Sequence, residues 1–166
     1  MRVFVALGSN IEPRRNLALA LGELRRRFAV AAVSPVYLTA PVGDVEQPDF
    51  WNLVAELETD REPEALHIEL REIERLLGRT RDPRRPYGPR TVDLDLVMAP
   101  GRMGVFGTLE LPSPLLARRS FLAVPLADLA PDEPHPLLGL PMKELAGSLA
   151  AADRRPPRPL GVELAE

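Results

Sequence analysis

The order of apolar patterns along the chain is strand, helix, strand, strand, helix, strand, and this order restricts the folds that the chain can adopt. Two segments repeat apolar residues on one helix face: Leu17, Leu21, Leu24 and Phe28, then Leu66, Leu70, Ile73 and Leu77. Residues typical of strands occupy 2–7, 30–38, 50–58 and 92–96. The pattern predicts an α+β, ferredoxin-like antiparallel sheet with both helices on one face.

The remaining segments predict elements on the other face of that sheet. We expect a short strand pair around residues 105–111 and helices at 121–129 and 142–149, so that helices lie on both sides. The 166 residues suffice for one domain with a hydrophobic core, which we place at residues 1–152. Residues 153–166 contain prolines and arginines without an apolar period, which predicts a flexible tail.

The composition excludes several kinds of site. The chain has no cysteine, which rules out disulfides, thiolate nucleophiles and thiolate zinc sites. Of the two histidines, we interpret His67 as helix surface and His135 as a turn residue, and assign a role to neither. The N-terminus runs directly into a strand pattern and no apolar run reaches membrane-spanning length, so we expect a cytoplasmic protein with no membrane partner. We also expect a monomer.

Asp93 and Asp95 point most directly to chemistry. They alternate with Val92, Leu94 and Leu96, so both carboxylates would lie on one face of a strand while the apolar side chains enter a core. Two adjacent negative charges require a cation, and Mg²⁺ commonly combines one or two carboxylates with water and substrate phosphates. A solvated acidic face on an edge strand would produce the same pattern, so the pair alone leaves both interpretations open.

An arginine-rich segment directly precedes this strand. Five arginines lie between residues 79 and 90 against the single acid Asp82, although the whole chain carries a net charge of −3. The planar guanidinium group pairs well with phosphate oxygens. With the carboxylate pair, this segment indicates a site for a metal ion and a polyphosphate.

Five motifs, in this order and at these spacings, carry a resemblance to a known family. They are Ala-Leu-Gly-Ser-Asn at 6–10, Ser-Pro-Val-Tyr-Leu-Thr-Ala-Pro-Val-Gly at 34–43, Gln-Pro-Asp-Phe-Trp-Asn at 47–52, Gly-Arg at 78–79, and Gly-Pro-Arg-Thr-Val-Asp-Leu-Asp at 88–95. The chain resembles the 6-hydroxymethyl-7,8-dihydropterin pyrophosphokinases, enzymes of folate synthesis that pass a diphosphate from ATP to a pterin alcohol. The resemblance spans nearly the whole chain.

The resemblance implies a catalytic set of two aspartates and two arginines. Asp93 and Asp95 would hold two Mg²⁺ ions between ATP, the co-substrate, and the pterin hydroxyl. Arg79 and Arg90 would face the phosphates. Diphosphate transfer develops charge on the attacking and leaving oxygens together, and metal ions with arginines can neutralise both.

The resemblance also implies further residues at the ATP site. Arg81 and Arg85 would lie on a loop that closes over ATP and excludes water. That loop is one residue longer here, so Arg84 is an alternative to Arg85. The other implied residues are Arg71, Glu74, Ser113 and Arg119. For Arg71 and Glu74 an exposed helix ion pair is an equally good interpretation of the sequence.

For the pterin, the resemblance implies a pocket with stacking faces and fixed hydrogen-bond partners. Its implied residues are Thr39, Val42, Phe50, Asn52, Tyr87 and Phe121. Tyr87 stands where the family often carries tryptophan. Phe50 and Phe121 could equally serve core packing, and Asn52 could be a satisfied surface amide.

One departure bears on the phosphate site. The family usually has Val-Pro-His after the strand pair, whereas this chain has Leu111-Pro112-Ser113. A serine hydroxyl can donate a hydrogen bond but carries no positive charge and reaches less far. The departure predicts weaker nucleotide binding or slower chemistry than in a relative that has the histidine.

Three other functions stay open on the sequence. The chain could be an ATP- or pterin-binding module with a degenerate site, or a plain hydrolase, although no general base is evident beside the aspartates. A nucleic-acid-binding ferredoxin-like domain would use the arginine-rich segment on phosphates. It fits poorly because the chain is acidic overall and lacks exposed aromatic pairs on its strands, so we expect no nucleic-acid partner.

Overall fold

A computed structural model describes residues 1–78 and 83–164 of the chain. Its main sheet has strands β1 (Arg2–Ser9), β2 (Ala29–Val33), β3 (Tyr37–Thr39), β4 (Phe50–Glu58), β5 (Asp93–Met98) and β8 (Arg158–Pro159). The strand order is β5-β1-β4-β3-β8, with β2 also paired to β4, and each pairing is antiparallel. A separate hairpin joins β6 (Gly104–Phe106) and β7 (Leu109–Leu111). The predicted α+β sheet is therefore confirmed.

The helices divide between the two faces of the sheet. Val3, Val5 and Leu7 of β1 pack with α1 (Pro13–Arg27) and α2 (Pro63–Leu76). The alternate residues Phe4 and Ala6 pack with α3 (Ser120–Leu129) and α4 (Met142–Ala152). Since successive side chains of a strand point to opposite faces, β1 contributes to two cores, and helices cover both sides as predicted. In the described residues we find no helix of sufficient length and apolarity to span a membrane.

The strand expected at residues 30–38 is divided in two. Ser34 leaves the ladder and makes two bonds to Val54: its backbone N donates to the Val54 carbonyl at 2.9 Å, and its hydroxyl accepts from the Val54 N, also at 2.9 Å. Pro35, which has no N–H to donate, lies in the gap. The interruption lets β2 and β3 pair with different parts of β4.

The structure differs from the prediction of a flexible tail after residue 152. Arg158 and Pro159 form β8 against β3, and the Leu160 N donates to the Val36 carbonyl at 2.9 Å. Leu160, Val162 and Leu164 pack against the core that α1 and α2 share. The sequence signal failed because these three apolar residues alternate at strand spacing over a stretch too short to stand out among the prolines.

Candidate active site

A cavity of about 470 Å³ lies where β1, β3, β4 and β5 approach the segment that leads from β7 into α3. Most of the residues predicted for the site line it. They are Thr39, Val42, Phe50, Asn52, Tyr87, Arg90, Asp93, Asp95, Ser113, Arg119 and Phe121. The sequence places these residues in five separate segments, so the cavity is a product of tertiary folding.

The register of the sheet brings the polar residues together. Gly8 of β1 is paired with Asn52 on one side and with Asp93 on the other, and Ala6 is paired with Asp95. Thr39 of β3 is paired with Phe50 of β4. Gly8 and Ala6 carry little or no side chain, which leaves space between the amide of β4 and the carboxylates of β5.

Asp93 and Asp95 belong to an ion-pair network at one wall of the cavity. The Arg71 guanidinium lies 2.7 Å from Asp95 and 3.8 Å from Asp93, and it donates to both Glu74 carboxylate oxygens at 2.6 Å. Arg90 pairs with the other Asp93 oxygen at 2.6 Å. Although β5 is an edge strand, its two carboxylates line the cavity instead of facing bulk solvent. The cations show that this wall is built to balance concentrated negative charge.

The network alters the acid strength of its members. Burial and the neighbouring Asp93 charge raise the pKa of Asp95 to about 7, against the opposing effect of Arg71. The Asp95 side chain keeps 45% of its surface accessible, so water in the open cavity moderates that rise. Burial also raises the pKa of Glu74, whose carboxylate accepts from the Leu94 N at 2.8 Å. These carboxylates therefore favour an additional positive charge nearby.

Asn52 is held at the opposite side of Gly8. It is buried, with 9% of its surface exposed, and its Nδ2 donates to the Thr39 hydroxyl at 2.6 Å. A Cβ added at Gly8 would lie 2.5 Å from the Asn52 Oδ1, so glycine is needed for the amide to sit where it does. The side-chain amide is a fixed polar group beside the partly buried rings of Phe50 and Phe121.

Asn10 joins the two loops that border the cavity. Its Oδ1 accepts from the Arg90 N at 2.8 Å, and its Nδ2 donates to the Gln47 Oε1 at 2.8 Å and to the Pro48 carbonyl at 3.0 Å. Gln47 in turn donates to the Tyr87 carbonyl. Asn10, the last residue of the 6–10 motif, thus positions the segment that carries Arg90 against the loop that precedes β4.

Replacing Asn10 by alanine is expected to destabilise the fold by about 1–3 kcal/mol, because three partly buried backbone and side-chain groups lose their partner. Urea denaturation would measure the change. Asn10→Asp keeps the acceptor for the Arg90 N but loses both donated bonds, so it should fall between the wild type and alanine. Equal stability of all three proteins would contradict the bridging role.

Three residues predicted for the ATP site do not line the cavity among the described residues. Arg71 and Glu74 lie behind the aspartates. They are connected to the predicted ATP site only by the ion pairs that Arg71 makes with Asp93 and Asp95. Arg85 pairs with Asp44 at 2.7 Å and donates to the Glu46 carbonyl. Arg79 and Arg81, the other predicted phosphate-facing arginines, lie outside the described residues, and their roles stay predictions.

The cavity also contains residues to which the sequence assigned no role. His67 lines it, at 3.5 Å from the Thr108 hydroxyl, and Glu110 of β7 lines it as well. The interpretation of His67 as plain helix surface is therefore incomplete. A local pattern could not identify these residues, because the position of the β6–β7 hairpin relative to α2 depends on packing between distant segments.

Comparison with known proteins identifies the family of the chain. Residues 4–131 match the family described as 7,8-dihydro-6-hydroxymethylpterin-pyrophosphokinase (HPPK). A 2-amino-4-hydroxy-6-hydroxymethyldihydropteridine pyrophosphokinase of Pseudomonas aeruginosa is 43% identical over 134 residues, covering 79% of this chain and 82% of that protein. An enzyme of the same name from Bacillus subtilis is 37% identical over 129 residues, covering 76% of each chain. This chain belongs to the HPPK family.

Solved structures agree on the fold. A Plasmodium falciparum HPPK-DHPS crystal structure in its A437G form superposes with a TM-score of 0.70 at 12% identity, over 90% of this chain and 45% of that chain. A triple-mutant form with pteroate gives a TM-score of 0.71, over 91% of this chain and 43% of that chain. The chain thus spans under half of those longer proteins, and the similarity concerns the fold alone.

Proposed function

We propose that this chain transfers the diphosphate of ATP to the hydroxymethyl group of 6-hydroxymethyl-7,8-dihydropterin, releasing AMP, in folate biosynthesis. Family membership supports the reaction. The observation that carries the proposal is the sheet register, which sets a buried amide and a pair of carboxylates on opposite sides of Gly8 in one cavity. The side with the Asn52 amide suits the edge of a pterin, and the side with the carboxylates suits a metal-bound triphosphate.

We assign Asp93 and Asp95 as ligands for two Mg²⁺ ions. Their oxygens are hard donors on one strand face, and the network around them already balances negative charge with cations, so the donor set fits this metal. Bound Mg²⁺ would supply charge neutralisation on the phosphate oxygens. Two carboxylates leave most of the coordination shell to water and phosphate oxygens.

The phosphates need further positive charge at the cavity wall. Arg90 and Arg119 line the cavity, and we assign both to the phosphates together with Arg79 and Arg81. Arg85 is held by Asp44, so its predicted contact with ATP would require that ion pair to open. Arg71 and Glu74 support the aspartates from behind, and Ser113 offers a neutral donor.

We assign the opposite end of the cavity to the pterin. Asn52 would hydrogen-bond the edge of the ring with support from Thr39, while Phe50 and Phe121 would contact its faces. Val42 and Tyr87, both exposed, would complete the pocket from the bordering loops. This placement leaves the hydroxymethyl group directed toward the carboxylate wall.

The chemistry then consists of positioning. The pterin hydroxymethyl oxygen attacks the β-phosphorus of ATP, the bond from that phosphorus to the in-line AMP oxygen breaks as the new P–O bond forms, and the hydroxyl proton is released to solvent. Arginines stabilise charge on the non-bridging oxygens, and closure of the bordering loops excludes water that would compete as acceptor. No covalent intermediate with the chain is needed.

The decisive test is AMP formation that depends on the pterin alcohol. With ATP and Mg²⁺ present, the purified protein should release AMP only after 6-hydroxymethyl-7,8-dihydropterin is added, and the pterin diphosphate should appear in equal amount. ADP or phosphate release without pterin would indicate the hydrolase alternative. Binding of ATP or pterin without AMP formation would indicate the degenerate module. Cytoplasmic location, a monomeric state and the absence of nucleic-acid partners stay predictions.

Ser113→His is expected to raise kcat/KM for ATP about five-fold, because a charged donor bonds phosphate more strongly than a hydroxyl, by about 1 kcal/mol. Ser113 lines the cavity, and its backbone N is anchored to the Val97 carbonyl at 2.8 Å, so the new side chain would start from a fixed point. Steady-state kinetics at varied ATP would measure the gain. Ser113→Asn, similar in size but uncharged, is the control. No gain with histidine would count against the phosphate role of this position.

A further inference from the structure

We propose that residues 153–160, the C-terminal clamp, act as a positioning segment for the pterin end of the cavity. The inference rests on the proposed function for the identity of the substrate. Three contacts of the clamp each reach the immediate sequence neighbour of a residue that lines the cavity. The clamp lies beyond residue 131, where the family match ends.

The first contact fixes the start of β4. The Arg155 guanidinium forms an ion pair with the Asp49 carboxylate. Asp49 directly precedes Phe50, whose ring lines the cavity. The ion pair therefore holds the chain at the point where the loop after β3 enters the sheet.

The second contact fixes the start of α3. The Ser120 hydroxyl donates to the Asp153 Oδ2 at 2.6 Å, and Ser120 directly precedes Phe121. Ser120 is buried, with 7% of its surface exposed. The other Asp153 oxygen accepts from the Arg155 N at 3.0 Å, which couples this contact to the first.

The third contact fixes the end of β3. Arg158 and Pro159 of β8 pair with Leu38 and Tyr37, and Thr39 follows directly in β3. Thr39 is the residue whose hydroxyl accepts the bond from the Asn52 amide. Strand pairing on the outer side of β3 thus supports the residue that orients the buried amide.

The clamp does not line the main cavity, but it lines a second cavity beside it. This second cavity has a volume of about 290 Å³, and its lining includes Asp153 and Arg155 of the clamp together with Thr39 and Phe121. Thr39 and Phe121 line both cavities. The clamp therefore supports the outer side of the pterin wall, which makes its members positioning residues and not catalytic ones.

The contacts are individually weak and jointly specific. The Arg155 side chain is 60% exposed, and an ion pair of that kind contributes little by itself. Together the contacts connect β3, β4 and α3. These elements supply the Thr39 hydroxyl, the Phe50 ring and the Phe121 ring, respectively. Loss of the clamp should loosen the relative placement of these groups, and that affects binding of the pterin more than binding of ATP.

The test is the Asp153→Ala/Arg155→Gln double variant in the full chain, assayed for AMP formation with each substrate varied in turn. We expect the KM for the pterin to rise about three- to ten-fold and the KM for ATP to stay within about two-fold. Arg154→Gln is the matched control, because Arg154 makes no hydrogen bond or ion pair with the described residues. An unchanged pterin KM, or equal increases in both KM values, would overturn the proposal.

Amide hydrogen exchange gives a readout that does not require activity. In the double variant, peptides covering residues 36–50 and 118–123 should exchange faster than in the wild type, while α2 should not change. Unaltered exchange in the first two regions would overturn the role of the clamp, whether or not the wild type is active. Absence of AMP formation by the wild type would instead refute the proposed function. If the double variant does not fold, Asp49→Asn removes the same ion pair from the other side and should still raise the pterin KM.

Discussion

Asp93→Asn and Asp95→Asn are each expected to lower turnover by at least about a thousand-fold, which corresponds to ~4 kcal/mol of transition-state stabilisation. Each substitution keeps the shape of the side chain and removes the charge that would hold Mg²⁺. Both carboxylates line the cavity, and both are already paired with cations from α2 or from the segment before β5. AMP formation at saturating ATP, pterin and Mg²⁺ would measure the loss.

The fold should survive these substitutions. Since the pKa of Asp95 is raised, its ionised form costs free energy in the folded protein above the ordinary aspartate pKa, and a neutral amide removes that cost. Thermal unfolding midpoints of Asp95→Asn at pH 8 should therefore equal or exceed the wild-type value. Asp60→Asn, at an exposed turn position, is the matched control and should leave turnover unchanged. An active Asp93→Asn/Asp95→Asn double variant would refute the metal assignment.

Asn52→Ala is expected to raise the KM for the pterin by about 30-fold or more, while the KM for ATP changes little. The Asn52 side chain is buried and bonded to the Thr39 hydroxyl, so its loss would leave the polar edge of the pterin without its partner in the cavity. Steady-state kinetics at varied pterin concentration would measure the change in KM. Thr39→Ser preserves the hydroxyl and serves as the control.

Gly8→Ala provides an independent test of the same amide. The added Cβ would lie 2.5 Å from the Asn52 Oδ1, so the amide must rotate or shift although its chemistry is unaltered. The pterin KM should rise in this variant too, by less than in Asn52→Ala. If the pterin KM stays at the wild-type value in both variants, the amide does not bind the pterin.

Much of the fold was accessible from local pattern. The spacing of Leu66, Leu70, Ile73 and Leu77 predicted α2, which spans Pro63–Leu76. The alternation of aspartates with apolar residues predicted one shared face in β5, and both carboxylates do line the cavity. These features succeed because they depend on backbone geometry within a few residues.

Other features were missed because they depend on distant segments. The sequence predicted a flexible tail at residues 153–166, yet Arg158 and Pro159 within it pair with β3, which is over a hundred residues away along the chain. The sequence predicted His67 to be helix surface, yet it lines the cavity and lies 3.5 Å from the Thr108 hydroxyl of the β6–β7 hairpin. The ion pair between Arg85 and Asp44, at 2.7 Å, also had no signal in the sequence, and the ATP contact that the resemblance implies for Arg85 stays a prediction.

The sequence by itself determined which chemical groups this protein has and which of them share a strand face or a helix face, because those relations follow from local periodicity. Only the tertiary structure decided which groups meet. Gly8 of β1 lies between the Asn52 amide and the Asp93 carboxylate. Arg71 of α2 pairs with Asp95 of β5, and Arg155 near the end of the chain pairs with Asp49. Such pairings depend on the packing of whole elements, and no spacing along the chain specifies them.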